Sequence, residues 1–206
     1  MPGPWTDAHC HLADSRLAPQ IGDVIERSRR AGVVSWIQGG VGPDDWQRQR
    51  KIAEEFGTEV HLAFGLHPWW VARASEKEVD EALILLEEEL PHASALGELG
   101  LDTVPKRIAA EGALQRQRRA FEAQLDLVTR MPRPLVLHVV RAHDLVLSEL
   151  ERRAPFASGG IVHAFAGTAA QARRYTELGF HLSLGGALLT RPERARELAA
   201  IPVERI

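Results

Sequence analysis

Short apolar runs alternate with longer segments of helical periodicity from one end of this 206-residue chain to the other, and no other feature constrains the fold as much. The runs at 6–9, 33–38, 60–65, 93–98, 135–138, 160–164 and 180–184 are expected strands. Between them apolar residues recur three and four apart, as in Val79, Leu83, Leu86 and Leu90, or Leu114, Phe121, Leu125 and Val128. That is the pattern of amphipathic helices. Pro91, Pro132 and Pro134 stand where helices should stop, and Gly32, Gly57 and Gly179 stand where C-terminal caps belong. Strands joined by helical crossovers run parallel, either in an open doubly wound sheet or in a (β/α)8 TIM barrel. Periodicity does not choose between these, but seven units in about 200 residues match barrel spacing. The chain reaches Val203-Glu204-Arg205-Ile206 where an eighth strand should begin. The expectation is therefore one domain over 1–206, a (β/α)8 barrel truncated before its eighth strand, with its C-terminal part missing.

Composition narrows the function classes. With 45% hydrophobic and 26% charged residues, the chain has enough apolar material for a core and is neither disordered nor fibrous. A net charge of −3 gives no sign of a long basic track along a duplex, so a nucleic-acid partner is expected to be held locally, at an end or over a few nucleotides. One cysteine, Cys10, forms no internal disulfide, and the N-terminus lacks the basic and apolar segments of a signal peptide. The expected compartment is the cytoplasm. The longest apolar runs, such as 82–86, are far short of a bilayer span. No membrane partner and no obligate protein partner is expected.

Four strand ends carry groups able to bind metal. In Asp7-Ala8-His9-Cys10-His11, His9 and His11 are two apart on an extended chain and share a face, while Cys10 points into the packing on the other. Glu98 closes the apolar strand before Gly100-Leu101-Asp102. His138 ends Leu135-Val136-Leu137-His138, and His163 sits in Ile161-Val162-His163-Ala164-Phe165. Each alone reads as a capping or core residue. Together they lie at the C-terminal ends of four strands, the face on which parallel α/β folds build sites. Imidazoles with one carboxylate suit two divalent ions, Zn²⁺, Mn²⁺ or Mg²⁺, about 3.5–4 Å apart and bridged by Glu98. Such a pair stabilises both oxygens of a phosphodiester undergoing hydrolysis. Arg141 could add a planar fork for a phosphate, or form a surface ion pair. His67, in Gly65-Leu66-His67-Pro68, points to the same rim and is either a contact for substrate phosphate or a loop residue with no role. Trp69-Trp70 beside it could stack on bases, although loop packing is the simpler reading. His61, His92, His143 and His181 are assigned no chemistry.

These residues resemble the TatD family of metal-dependent hydrolases. The resemblance runs in order through Asp7-x-His9-x-His11, Gly65-x-His67-Pro68, Gly97-Glu98-x-Gly100-Leu101-Asp102, His138-x-x-Arg141, His163-x-Phe165-x-Gly167 and Gly185-Gly186. It implies a TIM barrel with a metal centre at its top, His9 and His11 serving one ion, His138 and His163 the other, and Glu98 both. It also implies deoxyribonuclease activity, commonly trimming a 3′ end, with Mg²⁺, Mn²⁺ or Zn²⁺ and with DNA ends or single strands as substrate. Glu98 and Arg141 are then the expected catalytic groups, and His67 and Arg141 the substrate contacts. Two departures stand out. Val140 occupies a position where many relatives carry arginine. Relatives also continue past the segment 201–206 into a strand ending Glu-Thr-Asp, whose aspartate is a metal ligand and general base in the family, so weak hydrolysis by the 206-residue chain is expected. The competing readings are an amidohydrolase-like esterase acting on a small-molecule or aminoacyl substrate, and a catalytically silent binding protein.

Overall fold

Helical crossovers leave neighbouring strands only one direction, and among the described residues every strand pair is parallel. The computed structural model describes residues 4–186, 193, 199 and 201–206; Met1 to Gly3 of the N-terminal stretch lie outside them. The chain runs β1 (Trp5–Cys10), α1 (Ile21–Arg30), β2 (Val33–Gln38), α2 (Pro43–Phe56), β3 (Val60–His61), β4 (Ala63–Phe64), α3 (Pro68–Arg73) and α4 (Glu76–Glu89). It continues through β5 (Ala95–Asp102), α5 (Ala113–Arg130), β6 (Leu135–Val140), α6 (His143–Arg153), β7 (Gly160–Phe165), α7 (Ala169–Glu177) and β8 (Phe180–Leu184).

The strands lie in chain order, β1-β2-β3 in one sheet and β4-β5-β6-β7-β8 in the other. A doubly wound sheet reverses its order at a switch point, and this one never does. The wall curls as a barrel wall does. The rings of His9 on β1 and His163 on β7 lie 4.3 Å apart across the interior, although their strands are far apart in the order. The expected third strand, 60–65, is interrupted at Leu62, whose carbonyl turns to accept from the backbone N–H of Ser94 at 2.9 Å. The two sheets are rejoined where the Gly40 N–H donates to Gly97 and the Glu98 N–H donates back to Gly40, both at 2.9 Å.

The strands at 33–38 and 180–184 fall where the apolar pattern puts them, while β5 runs on to Asp102. Gly100 reads as a strand terminator, yet here it pairs with His138 at a crossing so tight that an added Cβ would stand 2.0 Å from the His138 carbonyl oxygen. The outward residues Leu96, Leu99 and Leu101 join one buried cluster with Phe121 and Leu125 of α5 and with Leu86 of α4. The inward Glu98 and Asp102 are just as deeply buried. α4 is set by a capping box in which the Ser75 hydroxyl accepts from the Glu78 N–H and the Glu78 carboxylate accepts from the Ser75 N–H. Among the described residues no helix is long and apolar enough to cross a membrane. Leu99→Ala should cost about 2–5 kcal/mol in a urea titration, because the close-packed strand and helix around it cannot collapse into the space.

Candidate metal centre

A carboxylate with no exposed surface lies at the centre of the rim. Glu98, on β5, is 0% exposed, and imidazoles from four other segments converge on it. Its Oε2 lies 2.7 Å from His163 Nε2, 3.4 Å from His138 Nδ1 and 3.5 Å from His9 Nε2. Its Oε1 lies 3.0 Å from His11 Nε2 and 3.8 Å from His67 Nε2. Close as they are, these nitrogens are not aligned to donate: both Glu98 oxygens and both His9 nitrogens are buried without a hydrogen-bond partner. Buried polar atoms are nearly always satisfied, so an unpartnered carboxylate and an unpartnered imidazole, with further ring nitrogens turned toward them, have the chemistry of a cation shell. The donor set, imidazole with one carboxylate, fits a divalent transition ion.

The electrostatics agree. Burial opposes ionisation of Glu98, but His11, His138 and His163 outweigh it and hold the carboxyl well below its usual range. Burial pushes His9 down to about 4 and His67 down to about 3, so both rings are neutral at ordinary pH. The Glu98 carboxylate beside it raises His11. Burial pulls His138 down, yet Asp102 and Glu98 together raise it.

Hydrogen bonding assigns the tautomers of two rings. His67 caps α3: its Nδ1 accepts from the Trp69 N–H at 3.0 Å. A neutral ring that accepts at Nδ1 carries its proton on Nε2, which faces Glu98 and lies 3.2 Å from His138 Nδ1. His67 is thereby arranged as a donor. His138 is oriented the opposite way, with Nε2 3.4 Å from the Asp102 carboxylate and Nδ1 toward Glu98 and His163, so its lone pair faces the cluster. Among the described residues two donor groups are tight enough to hold an ion, His9 with Glu98 and His163, and His67 with Glu98 and His138. In this geometry His9 is grouped with His163 across the barrel, where the resemblance pairs it with His11. The His67 tautomer argues against that ring as a ligand.

The cluster exists because Gly39 has no side chain; a Cβ there would stand 2.4 Å from the His9 ring and 3.1 Å from both Glu98 Oε1 and the His11 ring. Of the residues singled out in the sequence, His9, His11, His67, Glu98, His138 and His163 are brought together. Arg141 is not: it follows β6 with φ 55°, exposed, and its carbonyl accepts from the Thr103 hydroxyl at 2.8 Å. Cys10 packs away from the rim, its thiol pushed up to about 12 by burial. His143 meets the Tyr175 hydroxyl at 3.2 Å, and His61 and His181 line a separate cavity at the other end of the strands.

Two further residues join the site. Asp102 is fully buried and is held ionised, because His138, Trp69, the Val104 N–H and Arg107 outweigh the cost of its burial. Its position was readable, since residues 98, 100 and 102 of one strand share a face. Trp69 donates its indole N–H to Asp102 at 2.5 Å and sets its edge toward His67 and His138, with ring centroids 5.1 and 5.6 Å away. With 37% of its surface exposed, it walls a cavity of about 590 Å³ that also includes His11, Glu98, His138 and His163.

Known proteins share this arrangement of sequence and fold. The profile described as TatD related DNase matches residues 6–206. An Escherichia coli protein named as the uncharacterized metal-dependent hydrolase YjjV is 28% identical over 197 residues, covering 95% of this chain and 74% of that protein. A Pantoea ananatis protein named 3′-5′ ssDNA/RNA exonuclease TatD is 30% identical over 204 residues, covering 97% and 76%. The crystal structure of E. coli YjjV, described as a TatD homologue, aligns with a TM-score of 0.82 at 27% identity, over 98% of this chain and 76% of that one.

Two outcomes follow from the geometry. Gly39→Ala should abolish divalent-metal binding in calorimetry while the circular-dichroism spectrum of the fold persists. Because His11 and His138 are raised above 6.5, each holds a proton near that pH that an incoming cation must displace, so affinity should climb as pH rises through their values. Calorimetry in buffers of different ionisation heat should show net proton release near pH 6.5 that fades in alkaline buffer; binding near pH 6.5 without release would contradict the assignment.

Proposed function

The chain belongs to the family of TatD related DNases, a family of metal-dependent hydrolases, and from that premise we propose that it is a phosphodiesterase that shortens single-stranded DNA from its ends. The observation that carries this reading is the buried Glu98 carboxylate, ringed by five imidazoles and satisfied by none of them. Glu98 would be shared by two divalent ions, and the family pattern, unlike the grouping of His9 with His163 in this geometry, gives His9 and His11 to one and His138 and His163 to the other. Mg²⁺, Mn²⁺ or Zn²⁺ would supply Lewis acidity, stabilising charge on the attacking and leaving oxygens of the scissile phosphate.

The chain's own groups do the rest. His67, neutral and protonated on Nε2, donates to a phosphate oxygen brought against Glu98 and His138. Asp102 holds the proton of His138 on Nε2, so that the Nδ1 lone pair faces the cluster. Trp69 closes one side of the cavity and keeps water from the Asp102 to His138 contact. Arg141, exposed at the end of β6, meets the phosphate of a neighbouring nucleotide. Recognition of an end suits a chain of net charge −3, which offers no long basic track.

The test uses protein in excess over a fluorescently labelled single-stranded oligonucleotide, so that even a slow reaction is seen. Mn²⁺ should bring stepwise shortening, EDTA should stop it, and Glu98→Gln should slow it by at least about a hundredfold. No shortening with Mg²⁺, Mn²⁺ or Zn²⁺, or shortening indifferent to Glu98→Gln, would refute the reading.

A further inference from the structure

Trp69 and Arg73 have two sides. One lines the metal cavity; the other lines a second cleft of about 520 Å³ whose wall also carries Lys106, Arg107 and Arg116. Four cations facing one cleft is a marked local excess in a chain of net charge −3. They differ in what they are free to do. Arg107 is paired with the buried Asp102 and lies 4.0 Å over the Trp69 ring. Arg116 donates to the carbonyl oxygens of Ala72 at 3.1 Å and Glu111 at 2.9 Å, with Glu76 3.8 Å away, so it braces the wall. The side chains of Arg73 and Lys106 are exposed and form no hydrogen bond or ion pair among the described residues. Two uncompensated cations therefore stand at a cleft separated from Glu98 only by the short helix α3.

We propose that this cleft is the track for the substrate strand beyond the scissile phosphate, with Arg73 and Lys106 binding the next phosphates of a single-stranded nucleic acid. The inference rests on the phosphodiesterase reading for its direction. A volume of this size takes a ligand of about nucleotide dimensions, and a flexible single strand can bend over α3 where a duplex cannot. Arg107, stacked on Trp69 and tied to Asp102, couples occupancy of the cleft to the wall of the metal cavity.

Binding is measured by fluorescence anisotropy of a short single-stranded oligonucleotide with the whole chain in EDTA, which removes hydrolysis from the readout. The Arg73→Ala, Lys106→Ala double variant should bind about tenfold or more weakly at low salt. The slope of log affinity against log salt should shrink by about 1.4, the release expected from two single-strand phosphate contacts. Arg73→Lys with Lys106→Arg keeps both charges and should restore the slope. An unchanged slope in the alanine variant overturns the proposal, as does equal competition by polyglutamate of matched charge. Hydrolysis of a small aryl phosphodiester by the metal-loaded wild-type chain is measured alongside. Its absence would sink the phosphodiesterase reading and leave the anisotropy result standing on its own.

Discussion

An ionised carboxylate shut away from water is the constraint around which this molecule is arranged. Taking such a charge out of solvent costs several kcal/mol unless opposite charge or aligned donors compensate, and Glu98 is fully buried without an aligned donor. Its compensation is a shell of imidazoles, two of them raised toward protonation. A proton and a divalent cation can both supply the missing positive charge, and they compete for the same lone pairs. Metal loading, pH and local stability are therefore one linked equilibrium in this protein.

Holding five rings around one carboxylate requires a rigid frame, and the frame is built from buried polar side chains that never touch the cluster. Two glutamines of α5 reach inward. Gln117 accepts from the Asp102 N–H at 2.9 Å, and Gln124 accepts from the Leu66 N–H at 2.8 Å, next to His67. On the other side Asp45 accepts from the Val41 N–H and from Gln49, and Trp46 donates to the Gly65 carbonyl. Helices on the outside of the barrel thus fix the loops on its rim by satisfying backbone groups that the strands leave unpaired.

How far the sequence could be read differs between fold and site. Strand and helix periodicity located β2 and β8 to the residue and placed α4 and α5, because apolar faces must be buried whatever their partner. The reach of β5 to Asp102 was hidden, since Gly100 reads as a break until its partner strand is known to pass within van der Waals distance. At the site the histidines and Glu98 were visible as an ordered set of strand ends. Asp102 lay in plain view two positions beyond Gly100, on the face of Glu98, yet only its contact with His138 gives it a task. Trp69 read as loop packing and proved to be the wall between two cavities.

The chain on its own determined an alternating parallel α/β fold, the rim where chemistry collects, the family, and the kind of ligand those donors accept, because periodicity and donor type are properties of residues taken singly or in short runs. Tertiary structure alone decided which rings share an oxygen of Glu98, which nitrogen of His67 and of His138 keeps its proton, and that the basic residues after β5 face the same wall as the metal cavity. Those outcomes depend on the curvature that brings β1 within reach of β7, and on hydrogen bonds between residues far apart in the chain. No local pattern encodes either one.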